Sequence, residues 1–236
     1  SFTPERYLSM PEGEYSWRHY ETLFTDRRWR KGIFDSTVVA LGASCLAIIL
    51  GTICAIGCWK LSSRLGETIR ILALTPMIVP PIVHALGMYR VWVDYGLIDS
   101  YLGLILAHAM KGIPFVVISV SAVMSNFDPR LEQAARSLGA GPLTAMRLTI
   151  LPNIWPGVLA GGVFAFAISW DEIVVALFLT RRAVYTLPRQ IWDGIQDNIS
   201  PAVAAVGVLL IFVTILAVLG KMAWDRRMAI REGRRA

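Results

Sequence analysis

The chain has 236 residues, 55% of them apolar, with a mean hydropathy of +0.55 and a formal net charge of +6. One soluble core of this length cannot hide that much hydrophobe, so composition alone places the chain in a membrane. The positive charges do not form one interleaved patch, which sets nucleic-acid binding aside and leaves them as a topology signal.

Residues 1–31 are polar and rich in Tyr, Trp and charge, and contain no apolar signal-peptide core. Within them Ser16–Phe24 places Trp17, Tyr20 and Phe24 on one helical face, which suits a short interfacial helix in an external loop. Five apolar runs follow: Val38–Trp59, Ile71–Tyr89, Tyr101–Ser125, Ile154–Thr180 and Pro201–Gly220. Each approaches the ~20 residues that a ~30 Å hydrocarbon core demands. They predict an all-α polytopic membrane protein with five transmembrane helices, spanning about 34–59, 69–91, 101–125, 154–180 and 201–224. The expected organisation is an external segment 1–31 and a transmembrane domain 32–236, with a polar loop at 126–153.

The first run holds Cys45, Cys54 and Cys58. Cys54 and Cys58 share a face, but no histidine or carboxylate lies nearby in sequence, so buried thiols are expected and no metal site. In the second run Pro76, Pro80 and Pro81 must break or bend the helix just before His84. Backbone left unpaired at membrane depth persists only where it is buried in protein or lines a cavity, so the kink is either a packing feature or part of a solute path. His108 is, like His84, a single intramembrane histidine without ligand spacing.

Lys111 lies inside the third run, and Asp171-Glu172 interrupts the fourth. Intramembrane charges are costly and mark function or pairing. At ~1.5 Å per residue Lys111 is ~15 Å below the Tyr101 end, and Asp171 is ~9 Å below the same surface of a ~30 Å core. The ~6 Å difference is within reach of a lysine side chain. Lys111 can therefore pair with Asp171 or Glu172, and the remaining carboxylate is free to face a cationic solute. The two acids are ~100° apart around a helix and cannot face the same way, with Asp171 favoured for the pore.

In the loop, Asp128 before Pro129 reads as an N-cap followed by proline at the first helical position. Gly139 is a stop expected to need positive φ, and Gly141-Pro142 opens a second short helix that ends before Pro152. Two short helices on one membrane face make a knob for another protein's groove; the plainer alternative is an ordinary loop with two amphipathic turns. Beyond it, Leu187–Ile199 gathers Ile191, Trp192 and Ile195 on one face, as an interfacial helix would.

The stretch Gln133-Ala134-Ala135-Arg136-Ser137-Leu138-Gly139, running on to Leu151-Pro152, resembles the EAA loop of ABC-importer permeases. It departs with Gln133 where glutamate is usual, Glu132 lying one residue earlier, and with Thr149 where isoleucine is usual. The resemblance implies a type I ABC-importer permease fold and a cytoplasmic coupling helix that meets an ABC ATPase dimer. The coupling residues would be Glu132, Gln133, Ala134, Ala135, Ser137, Leu138, Gly139 and Ala140. Permeases of this family usually carry six helices, and the polar opening is similar to the external loop after the first, which implies a helix ahead of residue 1.

Ser169-Trp170-Asp171-Glu172-Ile173-Val174-Val175, followed by Tyr185-Thr186-Leu187-Pro188, resembles spermidine/putrescine-type importer permeases. The likeness extends through Ile113-Pro114-Phe115-Val116-Val117 and Ile199-Ser200-Pro201. It implies a permease subunit importing a polyamine or related cationic amine across a bacterial inner membrane, with Asp171, Glu172, Trp170, Lys111 and His84 on the substrate pathway. A second permease subunit and an external solute-binding protein are the further partners implied.

The chain contains no Gly-x-x-x-x-Gly-Lys-Ser/Thr phosphate loop, so ATP and Mg belong to a partner and this chain is expected to be no enzyme. Basic residues support the orientation: Lys60, Arg64, Arg70, Arg130, Arg136, Arg147 and the tail lie on the loop's side, though Arg27, Arg28, Arg30 and Lys31 lie opposite. Three alternatives stay open. They are an ion-coupled secondary transporter with Lys111, Asp171 and Glu172 as its coupling site, an importer of another small solute such as an amino acid derivative, and a non-transporting scaffold. A stoichiometrically co-purifying ATPase separates importers from the other two.

Overall fold

In the computed structural model, which describes residues 2–3, 15–61, 63–197 and 201–233, all regular structure among the described residues is helical. The chain clusters into two compact units, Ser1–Lys31 with Gln190–Ala236, and Gly32–Arg189. In the first of these, α1 (Arg18–Thr25) packs on α11 (Pro201–Gly233). The short helix begins one residue after Trp17, whose ring instead meets Phe2 at 5.1 Å and Tyr20 at 5.5 Å. Ile199-Ser200, part of the motif ahead of the last helix, lies outside the described residues.

The larger unit is built on α5 (Tyr101–Met124) laid against α8 (Leu151–Trp170). Their backbones touch. A Cβ added at Gly161 would lie 2.7 Å from Val116 Cα, and one at Gly157 would lie 2.8 Å from the Ser119 carbonyl oxygen. In a bilayer such close approach replaces the missing hydrophobic drive with van der Waals contact between helices. α2 (Arg27–Leu61) adds Ala47, Ala55 and Ile56 to a core shared with Val116, Val120, Ile154 and Val158.

Three described helical stretches, Arg27–Leu61, Tyr101–Met124 and Pro142–Trp170, are each long and apolar enough to cross a membrane. The expected span 69–91 is instead two helices, α3 (Arg64–Ile78) and α4 (Pro81–Asp94), bent by 103°. The cause is local: Pro80 and Pro81 donate no N–H, and α4 restarts with Pro81 at its first position and His84 N–H donating to Pro80 O. Counting this pair as one span gives four; in α11 the apolar stretch Pro201–Leu216 falls in a shorter class of 10–17 residues.

Two further boundaries differ from expectation. The run 154–180 stops at Trp170 and resumes as α9 (Val174–Leu179), because Glu172 is drawn into a side-chain pairing described below. The helix opened by Gly141-Pro142, α7 (Pro142–Ala145), does not end before Pro152. It continues through a π-helical turn, Met146–Ile150, into α8. In that turn Leu151 N–H donates to Met146 O, so the wider winding passes Pro152 without losing a donor the proline lacks.

At the N-terminal end of α5 two aspartates staple distant segments together. Asp99, at φ 56, accepts from the backbone N–H groups of Arg181, Arg182, Ala183 and Val184 at 2.8–3.3 Å. Asp35, fully buried on α2, accepts from Tyr101 Oη and from Tyr185 N–H, both at 2.7 Å. Ser36 Oγ accepts from Leu187 N–H, the first residue of α10 (Leu187–Asp197). Local turn propensity does not hold 181–187; two carboxylates do.

Burial alone would raise the Asp99 carboxyl, but the four N–H donors outweigh it and hold the group below its ordinary 3.8. A lowered folded pKa contributes stability that is present above the ordinary value and lost as pH falls through the folded one. The Tm gap between the native protein and Asp99→Asn should therefore be widest near neutral pH and close progressively below about pH 5. A gap independent of pH, followed by thermal unfolding in detergent, contradicts the staple.

Candidate functional site

Two places combine exposure or buried charge with geometry that packing alone does not explain. The first is the break between α8 and α9. Lys111 Nζ, on α5, pairs with Glu172 Oε2, and both side chains are largely shielded. Glu172 Oε1 accepts from Val175 N–H at 3.1 Å, so the same carboxylate satisfies a free donor at the start of α9. Of the two acids in reach of Lys111, the structure pairs Glu172. Asp171, at the C-cap of α8, is exposed and has no side-chain partner among the described residues.

Around this pair the interior is unusually polar. His108, 1% exposed, places Nδ1 2.9 Å from Ser169 Oγ, tying α5 to the last turn of α8. His84, just past the Pro80-Pro81 elbow, is buried next to Ala85, which shares a core with Ala107 of α5 and Val175 of α9. The Nε2 atoms of His84 and His108 are buried without a protein partner. Trp170 stacks on Phe166 with ring centroids 5.7 Å apart, beside Asp171. Lys111, Glu172, His84, Trp170 and Asp171, the residues expected on a substrate pathway, thus lie in one region together with Ser169 and His108. No metal-binding group of three or more ligands occurs among the described residues; Cys54 and Cys58 lie 4.0 Å apart, sulfur to sulfur, with no third donor.

The second place is the hairpin between α5 and α8. Asp128 Oδ1 accepts from Arg130 N–H at 2.9 Å and caps α6 (Pro129–Ser137), which starts on Pro129. Gly139 carries φ 89, where a side chain would be strained, and a Cβ there would meet nothing within 4 Å. α6 buries no residue. Leu131, Leu138, Leu143 and Leu148 are all exposed, Leu138 to 90%. Gln133, Ala134, Ser137 and Leu138 are exposed, while Ala135 and Ala140 are half-buried. Glu132 is the exception: its carboxylate turns back to Lys60 Nζ on α2 at 3.0 Å and to Arg136 Nε at 3.5 Å.

Asp35 and Asp99 were not among the residues expected from sequence, and Ser169 entered there only as part of a motif. Asp35 carried a signal, a carboxylate at the head of an apolar run; Asp99, in a loop, carried none.

Removing one partner of a shielded ion pair leaves a charge in low dielectric and costs ~3–5 kcal/mol. Lys111→Met and Glu172→Gln should each lower Tm sharply, the double variant should recover most of the loss, and Asp171→Asn should leave Tm unchanged. Destabilisation by Asp171→Asn instead would show that the wrong acid is paired.

Comparison with known proteins agrees with this architecture. The profile of the binding-protein-dependent transport system inner membrane component family matches residues 47–230. The spermidine/putrescine transport system permease protein PotC of Haemophilus influenzae is 29% identical over 219 residues, covering 93% of this chain and 85% of that protein. The molybdenum transport system permease protein ModB of Mycobacterium bovis is 30% identical over 220 residues, covering 86% of this chain and 83% of that protein. Among solved structures, a bacterial ABC transporter for import of the acidic polysaccharide alginate superposes with a TM-score of 0.69 at 17% identity, over 88% of this chain and 79% of that one. The matched profile covers most of the chain, and the helical architecture is that of ABC-importer permeases. The chain belongs to the binding-protein-dependent transport system inner membrane component family.

Proposed function

We propose that this permease subunit serves the ATP-driven import of a polyamine or related cationic amine across a bacterial inner membrane. It does so with a second permease subunit, an ABC ATPase dimer on the cytoplasmic face and a solute-binding protein outside. The observation that carries the coupling half of this reading is the hairpin 129–148. A helix that buries nothing, followed by a glycine-only turn, leaves four leucines uncovered by the rest of the chain. Such a surface is stable in an assembly, where another protein covers it. Lys60, Arg64, Arg70, Arg130, Arg136 and Arg147 flank it, which suits the cytoplasmic side. The Asp35 and Asp99 staples then face outward.

ATP and Mg2+ are held by the partner. Closure of the ATPase dimer pushes the hairpin, and the continuous helix from Pro142 to Trp170 carries that push to the break at Asp171. There Asp171 offers a free carboxylate, with the Trp170 and Phe166 rings alongside, a combination that holds an ammonium group by charge and by cation–π contact. The polyamine names of relatives at similar length support the same solute class. A less positive solute is the second reading, favoured by one observation: Lys111 cancels the charge of Glu172, leaving Asp171 as the uncompensated acid.

The test is ATP hydrolysis by the assembled transporter and its binding protein over spermidine, putrescine, amino acids and oxyanions. Polyamines should stimulate, and Asp171→Asn should blunt that stimulation; stimulation by oxyanions or amino acids alone rejects the solute assignment. Leu138→Asp should release the ATPase on purification. Gly139→Val, strained by ~1–3 kcal/mol in its backbone, should weaken coupling with the spans intact. An ATPase that stays bound to the Leu138→Asp subunit rejects the docking surface.

A further inference from the structure

Glu132 does not share the orientation of its neighbours on α6. Its side chain is 13% exposed and meets Lys60 at 3.0 Å, while α6 as a whole buries no residue. Lys60 sits in the last turn of α2, and Trp59 beside it meets Phe127, just ahead of α6, edge-on at 5.6 Å. On one side of this end α2 shares a core with the π-helical turn and α8 through Ile56, Ile150 and Ile154, and on the other the helices diverge. A crevice of about 540 Å³ opens there, lined by Ile53, Ile56, Lys60, Met146, Leu151 and Trp155. The hairpin is joined covalently to α5 through Phe127-Asp128 and to α8 through α7 and the π-helical turn. A third connection, to α2, is the ion pair, supported by the Trp59–Phe127 contact.

An exposed ion pair on a rigid surface contributes little. Here the carboxylate end is shielded, Glu132 being 13% exposed against 35% for Lys60, and the carboxylate is shared with Arg136 at 3.5 Å. We propose that the Lys60–Glu132 ion pair is the tether by which movement of α6 is passed to α2. Glu132 thus faces its own subunit and is a positioning residue, while Gln133, Ala134, Ser137 and Leu138 face the ATPase. The proposal rests on the docking of an ATPase on α6, and it adds a route to α2 besides the covalent ones to α5 and α8. Without the tether, α6 moves with the ATPase while α2 stays behind, so ATP is hydrolysed without the spans following.

The experiment uses the complete transporter with all partner subunits, reconstituted in liposomes. It reads ATPase stoichiometry, Tm, and solute transported per ATP. Lys60→Met and Glu132→Gln should each retain the ATPase and lower transport per ATP about tenfold. The double variant should lose no more than either single one, because both remove the same bond, and Lys60→Arg should transport as the native protein does. Native transport per ATP in Lys60→Met overturns the tether, as does a double variant whose loss is the product of the two single losses. Loss of the ATPase from Glu132→Gln alone also overturns it, since that outcome places Glu132 on the docking face. The docking reading fails by a separate result, an ATPase that remains on the Leu138→Asp subunit, whatever the Lys60 and Glu132 variants do.

Discussion

A lysine and a glutamate facing each other between α5 and the α8–α9 break set the terms for the rest of this unit. Each alone in an apolar interior would be too costly to keep charged; together, with Val175 N–H donating to the carboxylate, they are tolerated. The pairing has a geometric consequence. Glu172 cannot both continue α8 and reach Lys111, so the helix ends at Trp170 and three residues are left unwound. Unwound backbone at that depth needs a protein or aqueous environment, which is supplied by His108, Ser169 and the elbow before His84. Asp171, released from the helix at its C-cap, is left exposed beside that polar interior.

The two ends of α5 are built on opposite principles. At its start, Asp35 and Asp99 gather N–H groups from residues more than eighty positions away, so 181–187 is held by charge-assisted hydrogen bonds. At its end, Phe127 and Asp128 lead into a hairpin whose leucines are left uncovered. Between them, glycines at 157 and 161 bring α8 onto α5 backbone to backbone. Close packing of this kind moves as a body more readily than it deforms. In the coupling proposed above, a push received at the hairpin end would travel along the α5–α8 pair toward the polar break.

Much of this was legible wherever the controlling chemistry is local. Asp128-Pro129 marks the start of α6 to the residue, Gly139 takes the left-handed backbone its position suggested, and the prolines at 76, 80 and 81 announce an interrupted helix. Local signals do not carry the angle of that interruption, which depends on how α4 packs. Depth arithmetic brought Lys111 to the acidic pair, but it assumed one continuous helix, and the choice of Glu172 follows from the break itself. Pro152 misled for a related reason: proline suits a helix start, yet a π-helical turn lets it sit within a continuing one. The staples made by Asp99 and the tether made by Glu132 join residues far apart in sequence, and nothing in their neighbourhoods encodes the partner.

In the proposed function, energy enters this permease through a partner ATPase and not through an ion gradient at the Lys111, Asp171 and Glu172 cluster. Uptake of labelled spermidine into proteoliposomes holding the full assembly tests it directly, with ATP or an imposed proton or sodium gradient supplied separately. The account predicts uptake that requires ATP on the hairpin side and is indifferent to either gradient. Gradient-driven uptake in the absence of ATP would contradict it.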